Sequence, residues 1–121
     1  MKKILVVEDE EGLRLLYKEE LEGEGYQVLT AQNGKEAIRQ LEEGKPDLII
    51  LDIIMPVMDG IEALGRIVEK DRRIPIILNT SYPAYRGDFM SWVADAYITK
   101  STDLEELKVK VKELLEKGKA R

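Results

Sequence analysis

The chain has 121 residues, 44% of them hydrophobic, which is enough for one compact domain with its own core. It contains no cysteine and no histidine, which excludes disulfides, thiolate metal sites, serine–histidine triads and histidine-ligated metals. The net charge of −5 argues against direct nucleic-acid binding. No signal-like start or apolar run near the ~20 residues of a membrane span is present, so we expect a cytoplasmic protein without membrane contact.

Short apolar runs alternate with helix-period segments in five rounds along the chain. The predicted strands cover residues 3–7, 27–31, 47–51, 74–78 and 96–99. This alternation is typical of a parallel sheet covered by helices on both faces, so we expect an α/β fold.

Four of the five predicted helices have a clear apolar stripe. The first ends near Gly23 or Gly25, Asn33 caps the second, and Thr102 with Glu105 forms a capping box before the last. The stripes comprise, in chain order, Leu13, Leu16, Tyr17 and Leu21; Ala37, Ile38 and Leu41; Ile61, Leu64, Ile67 and Val68; and Leu104, Leu107, Val111 and Leu114.

The remaining helix, between Leu78 and Ala96, is predicted to be short or mobile. Its segment contains Pro83, Gly87 and several aromatic residues, and its helical periodicity is poor. Two interpretations stay open: a loop-rich connector with buried aromatics, or a functional surface.

Polar side chains follow the predicted strands at the edge where parallel strands end. Glu8 and Asp9 follow the first strand, Asp52 the third, Thr80 the fourth and Lys100 the fifth. Each alone has an ordinary interpretation, such as a helix cap or a solvated lysine. Together they occupy the edge where open α/β sheets bind ligands. Because gathered carboxylates repel each other unless a cation lies among them, the pattern predicts a cation site.

These residues resemble the receiver domains of two-component response regulators. The matching motifs are Val6-Val7-Glu8-Asp9, Leu51-Asp52 with Met55-Pro56 and Asp59-Gly60, Thr80-Ser81, and Tyr97-Ile98-Thr99-Lys100. The resemblance covers essentially the whole chain and implies one receiver domain over residues 1–121. It also implies a flavodoxin-like, doubly wound sheet of five parallel strands in the order 2-1-3-4-5, with five helices.

The resemblance further implies a phosphorylation site. Asp52 would be the phosphoacceptor, a carboxylate nucleophile that becomes an aspartyl phosphate. Glu8, Asp9, Asp52 and the backbone carbonyl of Ile54 would bind Mg²⁺, with Mn²⁺ as the alternative. Glu8 stands where many members of the family have aspartate, which retains the carboxylate.

Three further residues take roles from the resemblance. Lys100 would pair with a phosphoryl oxygen, and the Thr80 hydroxyl would donate to another oxygen once Asp52 is modified. Tyr97 would be the switch aromatic that moves with the Thr80 loop, although an ordinary half-buried strand tyrosine is the other interpretation.

The residue after Lys100 departs from the family pattern. In most receivers the corresponding lysine is followed by a proline in a cis peptide bond, whereas this chain has Ser101. A cis bond without proline costs roughly 2.5–4 kcal/mol.

The phosphoryl donor must lie on another molecule because the chain has no histidine. The resemblance implies a sensor histidine kinase or a histidine phosphotransfer domain, docking near the first helix with Leu13 as an exposed contact. A downstream protein target would bind the face that includes Val109 on the last helix. The chain would then be no enzyme toward other substrates and would catalyse only its own phosphorylation and dephosphorylation.

Two other functions stay open. A non-phosphorylated pseudo-receiver, which binds partners through the same fold, is compatible with Ser101 and with a segment before Lys100 that is shorter than usual. A Mg²⁺-dependent phosphatase with Asp52 as nucleophile would usually carry a second aspartate where this chain has Ile54.

We expect slow self-dephosphorylation. Ile54 lies two residues after Asp52 and Tyr82 two residues after Thr80, so by resemblance both flank the path along which water attacks the phosphoryl group. Both are bulky, and neither has a carboxylate or amide to orient water. The aspartyl phosphate of the wild type should outlast that of Ile54→Asn and Tyr82→Glu, followed as decay of the phosphorylated mass. Equal or shorter wild-type persistence would contradict this expectation.

Overall fold

A computed structural model describes residues 1–52, 60–71, 73–80, 94–100 and 103–117. Its strands are β1 Lys3–Val7, β2 Gln27–Ala31, β3 Leu48–Leu51, β4 Ile76–Thr80 and β5 Ala96–Thr99. Its helices are α1 Glu11–Gly23, α2 Gly34–Glu43, α3 Gly60–Lys70 and α4 Glu105–Lys117.

The five strands form one parallel sheet in the order β2-β1-β3-β4-β5. This confirms the flavodoxin-like α/β fold and its strand order. The described residues contain four helices, not the five predicted. The short helix expected between Leu78 and Ala96 falls on residues 81–93, outside the described residues. Among the helices that are described, none is long and apolar enough to cross a membrane.

The core has two layers because helices cover both faces of the sheet. Side chains alternate along each strand, so Leu5 and Val7 of β1 pack toward α2 and α3, while Ile4 and Val6 pack toward α1 and α4. Strands β1 and β3 are buried along both faces, apart from the partly exposed Lys3. Double coverage explains why these two strands read as continuous apolar runs rather than as alternating patterns.

The helix ends follow local capping chemistry. The Asn33 side chain accepts a hydrogen bond from the Glu36 N–H at 2.8 Å, as predicted. Gly25, just after α1, has φ of +98°, a conformation that favours glycine. At α4 the Asp103 side chain accepts from the Glu105 N–H at 3.0 Å, and the predicted capping residue Thr102 lies outside the described residues.

One apolar residue of α1 was placed wrongly by the sequence pattern. Leu16 is 38% exposed and Leu15 is 53% exposed, whereas Tyr17 and Leu21 are buried. Leu13, expected to be an exposed contact, packs partly against the α1/α4 side of the core. The buried stripe therefore follows a strict i, i+4, i+8 spacing, and residues beside it face outward.

Strand β4 lies two residues farther along the chain than predicted, at Ile76–Thr80 instead of 74–78. Pro75 has no N–H to donate to a ladder. At the other end, the backbones of Asn79 and Thr80 continue the pairing with β5, because ladder hydrogen bonds do not depend on whether a side chain is polar.

The amino-terminal edge of the sheet is tied together by Asp71. Its side chain, 8% exposed, lies 2.6 Å from Lys45 Nζ and accepts hydrogen bonds from the backbone N–H and the Nε of Arg73, at 2.9 and 3.2 Å. These bonds hold the pKa of the Asp71 carboxyl well below its ordinary value. The loops before β3 and before β4 are thereby joined through one carboxylate.

The Asp71 contacts should make stability depend on acid. A carboxyl with a depressed folded-state pKa stabilises the fold above its unfolded pKa of about 3.9, and this contribution is lost as pH falls toward the folded value. Asp71→Asn should lower the free energy of unfolding by about 1 kcal/mol at pH 7. Urea unfolding should show the gap between wild type and variant narrowing between pH 5 and pH 2. Parallel curves over that range would contradict the assignment.

Candidate functional site

The two buried acids of the site continue the strand ladder by one residue. The Glu8 N–H donates to the Ala31 carbonyl at 3.0 Å, and the Asp52 N–H donates to the Val7 carbonyl at 3.1 Å. Because side chains alternate, Glu8 and Asp52 point to the α1/α4 face of the sheet. Neighbouring strands therefore place both carboxylates side by side at the carboxyl edge.

Three carboxylates converge at this edge, as the strand ends predicted. Glu8, Asp9 and Asp52 each offer an oxygen, and the three oxygens lie within 4.8 Å of one another. Glu8 is 1% exposed and Asp52 is 5% exposed, whereas Asp9 faces solvent. Three like charges at this distance are costly unless positive charge lies among them.

Lys100 supplies part of that positive charge. Its Nζ lies 2.6 Å from Glu8 Oε1 and 3.0 Å from Asp52 Oδ2. Burial by itself lowers the pKa of the Lys100 ammonium, but its close contacts with the Glu8 and Asp52 carboxylates outweigh burial and the pKa is raised. Burial raises the pKa of the Glu8 carboxyl; Lys100 and the Glu10 N–H counteract this rise, and the Asp52 charge adds to it.

Three hydrogen bonds that the sequence pattern did not predict hold the acidic loop. The Glu10 N–H donates to Glu8 Oε2 at 3.1 Å. Arg14 Nη1 donates to the carbonyls of Glu8 and Asp9, at 2.9 and 3.4 Å. The first turn of α1 thus fixes the backbone that carries two of the three acids. An arginine on an otherwise solvated helix face gives no sequence signal for this role.

The other predicted site residues lie at different places around the edge. Thr80 ends β4, paired with Thr99. Tyr97 on β5 is half-buried and packs on the α2/α3 side of the core, the face opposite Glu8 and Asp52.

Three predicted site residues lie outside the described residues, as does the Met55-Pro56 motif: Ile54, Tyr82 and Ser101. The Ile54 carbonyl, the slow dephosphorylation and the geometry of the Lys100–Ser101 bond therefore remain predictions.

The donor set fits a divalent metal ion. The three acids could supply oxygen ligands, which hard cations such as Mg²⁺ prefer. Glu8 Oε1 is buried and contacts the Lys100 ammonium, but within the described residues it accepts no well-directed hydrogen bond. A buried carboxylate oxygen with this remaining capacity is suited to a metal.

The comparisons with known proteins agree on one family. A family model described as "Response regulator receiver domain" matches residues 4–112. The alkaline phosphatase synthesis transcriptional regulatory protein PhoP of Bacillus subtilis (strain 168) is 38% identical over 119 residues, which is 97% of this chain and 50% of that protein. The chain thus spans about half the length of this curated relative.

Solved structures of high similarity extend the match to the fold. Response regulator protein TrrA from Thermotoga maritima, in complex with Mg²⁺-BeF, is 52% identical with a TM-score of 0.91, covering 94% of this chain and 99% of that chain. TrrA in complex with histidine kinase ThkA is 52% identical with a TM-score of 0.89, covering 95% and 99%. With its sheet order and its acidic edge, the chain belongs to the response regulator receiver domain family.

Proposed function

We propose that this protein accepts a phosphoryl group on Asp52 from a phosphohistidine of a partner and thereby changes which protein it binds. The observation that carries the proposal is the arrangement of charge around Asp52. Its buried carboxylate lies beside the oxygens of Glu8 and Asp9, within 4.8 Å, and its Oδ2 is 3.0 Å from Lys100 Nζ. A nucleophile, ligands for a cation and a fixed ammonium thus meet at one point.

Asp52 acts as the nucleophile. A carboxylate oxygen of Asp52 forms a bond to phosphorus as the bond between phosphorus and the donor nitrogen breaks. The electron pair of the broken bond returns to the imidazole ring of the donor, and the ring takes up a proton. Catalysis of this transfer depends mainly on positioning and on stabilising charge. Lys100 lies close enough to pair with an oxygen of the phosphoryl group on Asp52.

Glu8, Asp9 and Asp52 would hold Mg²⁺, or Mn²⁺ in its place, with the Ile54 carbonyl as a further ligand carried over from the family resemblance. The metal would offset the carboxylate charge and stabilise the transferring oxygens. The crystallised complex of TrrA with Mg²⁺-BeF supports this choice of metal.

The response to phosphorylation would pass through β4 and β5. Thr80 and Thr99 pair across these strands, and Leu78 pairs with Tyr97. Movement of Thr80 toward a modified Asp52 would shift the end of β4, and the half-buried Tyr97 would follow by changing its exposure. The surface around β5 and α4, where Val109 is 61% exposed, would then be read by a downstream protein.

The donor would be a sensor histidine kinase or a histidine phosphotransfer domain. The complex of TrrA with the kinase ThkA supports this class of partner. Helix α1 begins beside Asp9 and presents Leu15 and Leu16 to solvent, 53% and 38% exposed, where a kinase helix would dock. In this role residues 1–121 act as one cytoplasmic receiver domain that contacts neither nucleic acid nor membrane and turns over no substrate of its own.

Phosphorylation of Asp52 is tested by mass spectrometry. Incubation with Mg²⁺ and a small-molecule phosphodonor should add one phosphoryl group to the wild type and none to Asp52→Asn. Labelling of both proteins would move the acceptor elsewhere. Absence of label on the wild type would favour a pseudo-receiver, and sustained hydrolysis of a phosphate ester would favour a phosphatase.

Removing the site lysine should make the fold depend more strongly on metal. Lys100→Met leaves two buried carboxylates without their cation, which should lower the free energy of unfolding by about 3 kcal/mol without metal. Mg²⁺ should restore part of the loss, because a ligand that binds only the folded state stabilises it. Urea unfolding with and without Mg²⁺ measures both effects.

Lys108→Met is the matched control, since the side chain of Lys108 is 18% exposed, against 15% for Lys100, but pairs with Glu20 at 2.7 Å, away from the acids. Its gain in stability on adding Mg²⁺ should equal that of the wild type. An equal gain for Lys100→Met would contradict the proposed competition between lysine and metal.

A further inference from the structure

A polar side chain lies buried in an otherwise apolar stretch of the sheet. Asn79, next to the end of β4, is 3% exposed, and the three preceding residues of the strand, Ile76 to Leu78, are at most 1% exposed. A buried amide costs free energy unless it is hydrogen-bonded. The family resemblance assigns no role to Asn79, and the described phosphoryl chemistry does not use it.

The strand register places Asn79 beside the phosphoacceptor. Val7 pairs with Leu51, and Leu51 pairs with Leu78. One residue farther along each strand, Glu8, Asp52 and Asn79 therefore form one row across β1, β3 and β4. Alternation puts all three on the α1/α4 face, because Ile77 of β4 packs there and Asn79 is two residues on.

Asp52 is consequently flanked by an acid on one side and by an amide on the other. Strand β3 lies between β1 and β4, and side chains level with each other on neighbouring strands lie close together. Lys100, two residues after Ile98, reaches the same row from β5. A neutral amide at this place adds hydrogen-bonding capacity without adding charge to the crowded acids.

Helix α1 fixes the amide through a buried tyrosine. Tyr17 is 1% exposed, and its hydroxyl hydrogen-bonds with the Asn79 side chain. The charges of Lys100, Glu8 and Asp52 also act on the pKa of this hydroxyl. Burial raises the pKa of Tyr17, so the hydroxyl stays protonated at neutral pH. Each polar group depends on the other, because removing one leaves a buried group unsatisfied.

We propose that Tyr17 and Asn79 are positioning residues of the phosphoacceptor site. The Tyr17 hydroxyl fixes the Asn79 amide beside Asp52, which keeps the acceptor carboxylate oriented for attack and ties α1 to the strand that ends at Thr80. The inference rests on the proposed function, since it assigns the pair to phosphoryl transfer at Asp52. The pair acts through Asp52 and does not itself bond to phosphorus or metal.

The test is a double-mutant cycle on phosphorylation of the full chain. Tyr17→Phe, Asn79→Leu and the double variant are phosphorylated with acetyl phosphate at saturating Mg²⁺ over a range of donor concentrations. Each single variant should lower the maximal rate about five- to tenfold. The donor concentration for half-maximal rate and the Mg²⁺ affinity measured by calorimetry should not change. The double variant should be no slower than the single variants, because one shared hydrogen bond is lost in all three.

Tyr26→Phe is the matched control, because Tyr26 packs against the same side of the core but follows α1 at its far end. Its maximal rate should equal that of the wild type. If Asn79→Leu does not fold, Tyr17→Phe decides alone, since it removes a single oxygen. A Tyr17→Phe rate equal to the control, or additive losses in the double variant, would overturn the positioning role while leaving Asp52 as acceptor. A wild type that takes up no phosphoryl group would overturn both proposals.

Discussion

The main constraint on this structure is the repulsion among three carboxylates held at one edge of a buried sheet. Glu8 and Asp52 are almost fully buried, and Asp9 stands beside them at the surface. Lys100 contacts both buried acids, so among the described residues one ammonium contacts a cluster of three carboxylates and an excess of negative charge remains. That excess accounts for a fit to a divalent cation. The same charge surrounds the Asp52 carboxylate, which is the nucleophile in the proposed function.

The sheet forces this arrangement on the chain. Strands β1 and β3 are neighbours near the middle of the sheet, and helices cover both of their faces. The ladder continues through the backbone of Glu8 and Asp52, so their side chains lie at the carboxyl edge of the buried strands. Lys100 arrives from β5, the outer strand, and spans β4 to reach Asp52. The free energy gained by burying the apolar core therefore offsets the unfavourable charge cluster at its edge.

The same edge connects the chemistry to the surfaces that partners would contact. Arg14 of α1 holds the carbonyls of the acidic loop, and the proposed pairing of Tyr17 with Asn79 joins the same helix to β4. Strand β4 in turn pairs with β5, which carries Tyr97. A change in bonding at Asp52 thus has short physical routes to α1 on one side and to β5 on the other.

Much of this arrangement could be predicted from the sequence, since apolar runs locate strands and strand ends locate the acids. The bounds of β1, β2 and β5 were predicted as observed, and Glu8, Asp9, Asp52 and Lys100 meet as the strand ends indicated. Strand order could not be derived from periodicity and came from the family resemblance. The end of β4 was missed because Asn79 and Thr80 are polar, and Leu16 was misplaced because it flanks the buried stripe. Pairings such as Tyr17 with Asn79 join residues far apart in the chain and leave no local signal.

We infer that Glu8, Asp9 and Asp52 surround one divalent ion. A crystal structure of the wild type grown with Mn²⁺, with anomalous difference density to locate the metal, tests it most directly. We expect one strong peak within roughly 2.0–2.3 Å of a carboxylate oxygen from each of the three acids, or one bridging water away. A peak elsewhere on the protein, or an empty acidic edge at saturating Mn²⁺, would contradict it.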